Sequence, residues 1–234
     1  MIIKPIASSS RGNAYYISNG ISHLLIEAGV KLDVLRKHDI NLVQLDGCLI
    51  THEHKDHSKF AKDVARYTRV YASKGTLDTL DFGLNEYKKI VLEKGKPKDI
   101  GTFTVVPFEV QHDAAEPLGF LIYSKPTKER LLFATDTYYI KNRFPACEYY
   151  MIECNYSSEI VKKNLENGMS EVRVKRLFTS HMSLENCVKF LKAQDLRKCK
   201  AIYLMHLSDG NSDAKLFKEE IQKATGKVVY VCPA

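Results

Sequence analysis

The sequence predicts a layered α/β protein of two sheets covered by helices, and three observations carry that reading. Short apolar runs bounded by turn residues recur along the whole chain. Segments with helical apolar spacing alternate with them. Composition is that of an ordinary globular protein: of 234 residues, 44% are hydrophobic and 27% charged. Strands that precede, interleave with and follow helices fit packed layers around a core. No low-complexity stretch, long linker or short-period repeat interrupts residues 1–234, which read as a single domain.

The elements follow in order. Ile2–Ala7 reads as a strand, Ser8–Asn13 as a polar loop and Ala14–Ser18 as a second strand. Asn19-Gly20 is a hairpin signal before a third strand, His23–Glu27. A helix is expected after Gly29. The apolar run Cys48–Ile50 then enters Thr51–His57, and a helix is expected from near Ser58 with Phe60, Ala61, Val64 and Ala65 on its buried face. Further strands are expected at Thr102–Val110, Gly119–Tyr123, Leu131–Thr135 and Tyr149–Glu153. Ser183 can cap a helix burying Leu184, Cys187, Val188 and Leu191. Ala201–Met205, a helix capped by Ser212 or Asp213, and Val228–Val231 complete the pattern.

No run of about 18 apolar residues predicts a membrane span. The start of the chain has neither the basic segment nor the apolar stretch of a secretory signal, so a cytoplasmic protein with no membrane partner is expected. Six cysteines without a Cys-x-x-Cys pair read as reduced, inert thiols. The net charge of +7 is uneven: residues 155–234 carry 14 basic and 9 acidic residues, against 21 and 19 in residues 1–154. Arg173, Lys175 and Arg176 fall in the more basic part, where a polyanion could be held.

The eight histidines carry the chemical signal. His52, His54, Asp56 and His57 lie at His-x-His-x-Asp-His spacing where a strand leads into a helix. Imidazole and carboxylate are the donors expected for zinc and similar divalent ions. In extended backbone His52 and His54 point the same way, while Asp56 and His57 sit on the following turn. Two neighbouring metals fit this arrangement better than one. His112, Asp136 and His206 each follow an apolar strand and repeat one layout, a strand and then a ligand. His181 differs: it precedes the helix cap Ser183, where free amides favour an anion, which suits contact with a phosphate or protonation of a leaving group. His23 and His38 have no such setting.

These residues resemble the metallo-β-lactamase fold superfamily over nearly the whole chain. His52, His54, Asp56 and His57 match its first metal motif, and His112, Asp136 and His206 match the later positions in order. The branch most resembled is the WalJ/YycJ-like one, related to exonuclease-like and tRNA-processing members. Ser8-Ser9-Ser10-Arg11-Gly12-Asn13, His112-Asp113-Ala114 with Pro117-x-Gly119-Phe120, and Glu153-Cys154-Asn155-Tyr156 carry that likeness. So do His181-Met182-Ser183 and His206-Leu207-Ser208 with Asn211.

The resemblance implies a four-layer αββα sandwich with two divalent metals, Zn²⁺ or Mn²⁺. It implies His52, His54 and His112 on one metal, Asp56, His57 and His206 on the other, and Asp136 bridging. His181 matches the histidine near the substrate phosphate, although Met182 stands where leucine is usual. The expected function is a binuclear metal-dependent hydrolase, a phosphodiesterase or nuclease acting on DNA or RNA through a metal-bridging hydroxide. In it, Asp56 orients the attacking water or takes its proton, and His181 assists the phosphate or leaving oxygen. Ser9, Ser10 and Asn13, with Arg11, could line the approach, and Tyr138 and Tyr139 could stack on a base. The alternatives are hydrolysis of a small ester, thioester, lactone, lactam or cyclic nucleotide, and a non-catalytic metal-binding module.

Overall fold

A computed structural model describes residues 1–234. The chain forms two compact units, one of residues 1–109, 114–129 and 233, the other of residues 110–113, 130–232 and 234.

In the first unit β1 (Ile2–Ser9), β2 (Gly12–Ser18) and β3 (His23–Ile26) form an antiparallel meander. The expected polar loop Ser8–Asn13 is instead almost all strand. Ser9 pairs with Gly12, leaving only Ser10 and Arg11 to turn. The register of β1 shifts between Pro5 and Ala7, where proline brings no N–H to the ladder. At the second turn the Asn19 side chain accepts from the amides of Ile21 and Ser22 while Gly20 takes a φ of +86°.

The sheet continues in parallel through β4 (Gly47–Leu49), β5 (Val70–Ala72) and β6 (Lys89–Val91). Parallel neighbours need long crossovers. These are supplied by α1 (Leu32–Lys37), the short pair α2 (Lys55–Ser58) and α3 (Ala61–Val64), and α4 (Lys74–Thr79). Leu25, Cys48, Ile50, Val70 and Ala72 of the sheet pack with Leu35, Ala61, Val64 and Leu77 in one buried cluster. The helix expected from Ser58 starts at Lys55 and breaks at Phe60, whose amide donates to the Ala28 carbonyl. An antiparallel meander, β7 (Lys98–Ile100), β8 (Phe103–Glu109) and β9 (Leu118–Ser124), completes this unit.

The second unit is built on four parallel strands in the order β13-β12-β11-β10: β10 (Arg130–Ala134), β11 (Tyr149–Glu153), β12 (Ala201–Met205) and β13 (Val229–Val231). Between β11 and β12 lie α5 (Ser158–Glu166), α6 (Glu171–Ser180) and α7 (Leu184–Lys192), and between β12 and β13 lies α8 (Ala214–Thr225). Ser183 caps α7 by accepting from the Asn186 amide, and Asp213, not Ser212, caps α8. The α7 face buries Leu184, Cys187, Phe190 and Leu191, with Val188 only half-buried.

All six cysteines are free and buried. No helix is long and apolar enough to cross a membrane.

Candidate metal-binding residues

Each unit presents its polar residues at strand ends. In the first, β4 runs out through Ile50 and Thr51 into His52, so ligand-type residues appear where backbone pairing stops. The His52 ring lies 4.6 Å from that of His54 and 4.2 Å from that of His57, centroid to centroid, and Asp56 Oδ2 is 3.1 Å from His57 Nε2. Three imidazoles and a carboxylate therefore converge within one short segment.

Buried polar groups hold them in place. Thr51 Oγ1 donates to Glu27 Oε1 at 2.6 Å and lies 2.9 Å from His52 Nδ1. With its one proton spent on Glu27, the hydroxyl accepts from His52 Nδ1–H, so the imidazole lone pair is on Nε2. Glu27 is fully buried, and burial raises its carboxyl above the usual range, against the pull of His57 and Thr51.

Asn13 is also fully buried. Its amide nitrogen lies 3.2 Å from both Asp56 Oδ2 and His57 Nε2. The close fit depends on Gly29: its amide donates to the Asn13 carbonyl, and a Cβ there would stand 1.7 Å from the Asp56 carbonyl oxygen.

In the second unit His112 Nδ1 lies 3.0 Å from the Ser180 carbonyl oxygen, which can only accept. His112 therefore carries its proton on Nδ1 and its lone pair on Nε2. Burial lowers its basicity although the Asp136 and Glu153 charges oppose this, and a neutral imidazole is the form that ligates.

Asp136 follows β10, Glu153 ends β11 and His206 follows β12. Together with His181 they offer donor atoms all within 4.8 Å of one another. His181 Nδ1 is 2.6 Å from Glu153 Oε1 and 3.2 Å from Asp136 Oδ1, and His206 Nδ1 is 3.3 Å from the same Asp136 oxygen. Within this set the Asp136 carboxylate and the His206 imidazole are donors of the kind that suit a divalent cation such as zinc or manganese.

Glu153 escaped the sequence assignment of roles. It is fully buried, and its Oε2 accepts from the amides of Thr137 and Met182. Burial alone would raise its carboxyl, but the His181 charge and hydrogen bonds from His181 and His206 lower it below the usual range. The reciprocal effect is large. Burial disfavours a charge on His181, yet Glu153 and Asp136 push it up to about 10. The available signal was a charged residue closing an otherwise apolar run, Tyr150-Met151-Ile152-Glu153, and Glu27 closes Leu24-Leu25-Ile26 in the same way. Asn155 is a further addition: its amide donates to the His206 carbonyl at 2.6 Å and lies 3.2 Å from His206 Nδ1.

Three of these strand-end residues, Glu27, Asp136 and His206, take φ values of +67°, +46° and +53°. Left-handed backbone costs a non-glycine residue roughly 1–2 kcal/mol. Surrounding contacts hold the strain there, as is common at functional positions.

The other expected site residues are placed as follows. Ser9 is buried, and its carbonyl accepts from the Asn13 amide. Ser10 and Arg11 are exposed. Tyr138 and Tyr139 are exposed in the loop after Asp136. His23 lies 2.6 Å from the Tyr16 hydroxyl, and His38 ends α1, both apart from the histidine clusters.

Residues 23–207 match the family described as β-lactamase superfamily domain. The chain belongs to that superfamily. It is 31% identical over 229 residues to exodeoxyribonuclease WalJ of Streptococcus pneumoniae, covering 90% of this chain and 83% of the relative. It is 27% identical over 234 residues to exodeoxyribonuclease YycJ of Bacillus anthracis, covering 93% and 86%. Among solved structures, the metallo-β-lactamase fold protein YhfI from Bacillus subtilis superposes with a TM-score of 0.76 at 15% identity, over 99% of this chain and 95% of that one. The short form of human tRNase Z superposes at 0.65 and 13% identity, over 100% and 96%. The α/β fold of the metallo-β-lactamase type and the WalJ/YycJ-like branch, both expected from the residues, are borne out.

Proposed function

We propose that this chain is a metal-dependent phosphodiesterase that cleaves DNA, with residues 1–234 acting as one catalytic domain in the cytoplasm. The observation that supports it most is the pair of donor clusters, in which His52 and His112 are each held at Nδ1 by a hydrogen bond, to the Thr51 hydroxyl and to the Ser180 carbonyl. The relatives named exodeoxyribonucleases direct the reading to DNA.

In this reading His52, His54 and His112 would hold one divalent cation and Asp56, His57 and His206 a second, with Asp136 as a further ligand. Bound divalent cations would lower the pKa of water and neutralise charge developing on the phosphate. Asp56, half-buried and braced by Asn13, takes the proton of the attacking water. Glu153 favours the charged form of His181, whose Nε2–H donates to the phosphate or the departing oxygen. Ser10 and Arg11, exposed on the β1–β2 turn, contact the substrate backbone, while Ser9 and Asn13 brace the ligand segment from beneath. Arg173 and Lys175, exposed on α6, attract the polyanion.

The test is incubation of the Mn²⁺- or Zn²⁺-loaded protein with single- and double-stranded DNA and RNA, with metal content measured in parallel. Cleavage of DNA is expected. Bound metal without cleavage of any DNA would overturn the reading. His181→Ala should keep the metal and slow turnover by roughly 10²–10⁴-fold, the range of a lost general acid.

A further inference from the structure

Apart from Tyr139, the residues of one cleft in the second unit have no part in the reaction. It encloses about 320 Å³ between the loop of residues 139–143 and helix α7. Ile140, Met182 and Phe190, all buried, form its apolar lining, and Tyr139 is 52% exposed. Lys141, Arg143 and Lys189 supply its charge, and no acidic residue lines it. None of the three cations has a carboxylate within ion-pairing distance, whereas other exposed lysines, such as Lys74 and Lys163, are paired with Asp78 and Glu159. A cleft with three unneutralised cations and no anion has a surplus of positive potential that a polyanion relieves.

The cleft is braced at both ends. Asn186 Nδ2 donates to the Tyr138 carbonyl at 3.4 Å. At the other end the Phe144 amide donates to Gln194 Oε1 at 3.2 Å, and the Phe144 ring meets Phe190 edge-on at 6.5 Å. Both walls start at the donor cluster. Met182 directly follows His181, and Tyr139 lies three residues beyond Asp136. This adjacency along the chain on both walls is what links the cleft to that cluster. The volume suits one nucleotide of a single strand, being at the small end of ligand pockets, and has no room for a duplex. An exposed tyrosine beside cations is the pairing by which proteins hold single strands, the ring stacking on the base and the cations following the phosphates.

We propose that this cleft holds the nucleotide adjoining the phosphodiester to be cut, on a single-stranded DNA end. The proposal rests on the nuclease reading. Its test separates the two by measuring binding apart from cleavage.

Binding of a fluorescent phosphorothioate oligothymidylate to the Mn²⁺-loaded protein is followed by anisotropy over a range of salt. The variant Lys141→Ala/Arg143→Ala/Lys189→Ala should bind at least tenfold more weakly. The slope of log affinity against log salt should become shallower by about 0.7, the contribution of the one further phosphate that a single nucleotide brings. Tyr139→Ala should weaken binding about tenfold with the slope unchanged, as expected for a lost stacking contact. Hydrolysis of bis(p-nitrophenyl) phosphate, which has no neighbouring nucleotide phosphate, should stay within twofold in the triple variant. Unchanged affinity and slope in the triple variant would overturn the cleft proposal, even if the wild-type protein cuts DNA. Wild-type binding with the expected slope, lost in the variant, would uphold the cleft even if no DNA is cut. An oligouridylate binding tenfold more tightly than the oligothymidylate would overturn the choice of DNA.

Discussion

The two units assemble their donor residues in opposite ways. In the first, four ligand-type residues come from six consecutive positions, His52–His57, and their geometry is local. In the second, Asp136, Glu153 and His206 come from the ends of three parallel strands, with His181 entering between two helices. A contiguous motif needs only a strand end and one turn of helix. The dispersed set needs strand register, left-handed backbone at two positions and a buried carboxylate to bind it together. The first cluster should therefore resist single perturbations of its support, and the second should be brittle.

The largest test compares one ligand from each unit. His54→Ala and Asp136→Ala should each lower bound metal, read by atomic emission after dialysis, and reduce phosphodiester hydrolysis to background. Full metal retention in Asp136→Ala alone would confine metal binding to the contiguous motif and end the symmetry assumed between the two.

Next is the support of the dispersed set. Glu153→Gln removes the charge that pairs with His181 while keeping side-chain shape. Breaking a buried ion pair costs roughly 3–5 kcal/mol. In a chain of this length each kcal/mol lowers Tm by about 2–4 °C. A Tm decrease of roughly 6–20 °C is expected, and a loss below 2 °C would show that the pair does not hold this region together.

The matching change in the first unit is Asn13→Ala, which removes the amide beside Asp56 and His57. Loss of such outer support costs about 10–100-fold in metal affinity. The fold should survive, because Gly29 and the Ala28 backbone still tie the segment to its sheet. A Tm loss as large as that of Glu153→Gln would erase the contrast between the two clusters.

The smallest effect is a pH dependence of the metal-free protein. His181 titrates near 10 when folded, above about 6.5 for an unfolded histidine. Its charge therefore contributes stability that is complete below about pH 6.5 and is lost as pH rises through about 10. Tm of the chelator-treated wild type should fall more steeply across that window than Tm of His181→Ala. Parallel curves would show that the histidine is not held charged.

The same contrast governs what could be read from sequence. Cys48–Ile50, Ala201–Met205 and the Ser183 cap carry their signals within a few residues, and so does the His-x-His-x-Asp-His segment. Strands β5, β6 and β7 have three residues each, too few for any periodicity to show. Helices α5 and α6 are mostly polar, because each buries little of its surface. Asp136 and His206 stood out as polar residues after apolar strands. The part of Glu153 stayed hidden because its partners, His181 and the Thr137 and Met182 amides, come together only through strand register and chain reversal.

The burial of every cysteine has a practical consequence. Burial pushes the Cys199 thiol up to about 11 and Cys147 up to about 12, so neither is a thiolate at neutral pH. A maleimide has nothing to modify until the chain opens. Labelling rate thus becomes a clock for opening, with reporters in both units: Cys48 next to the histidine motif, and Cys154 and Cys187 beside the Glu153–His181 pair. Labelled peptides would show which half of the molecule lets go first.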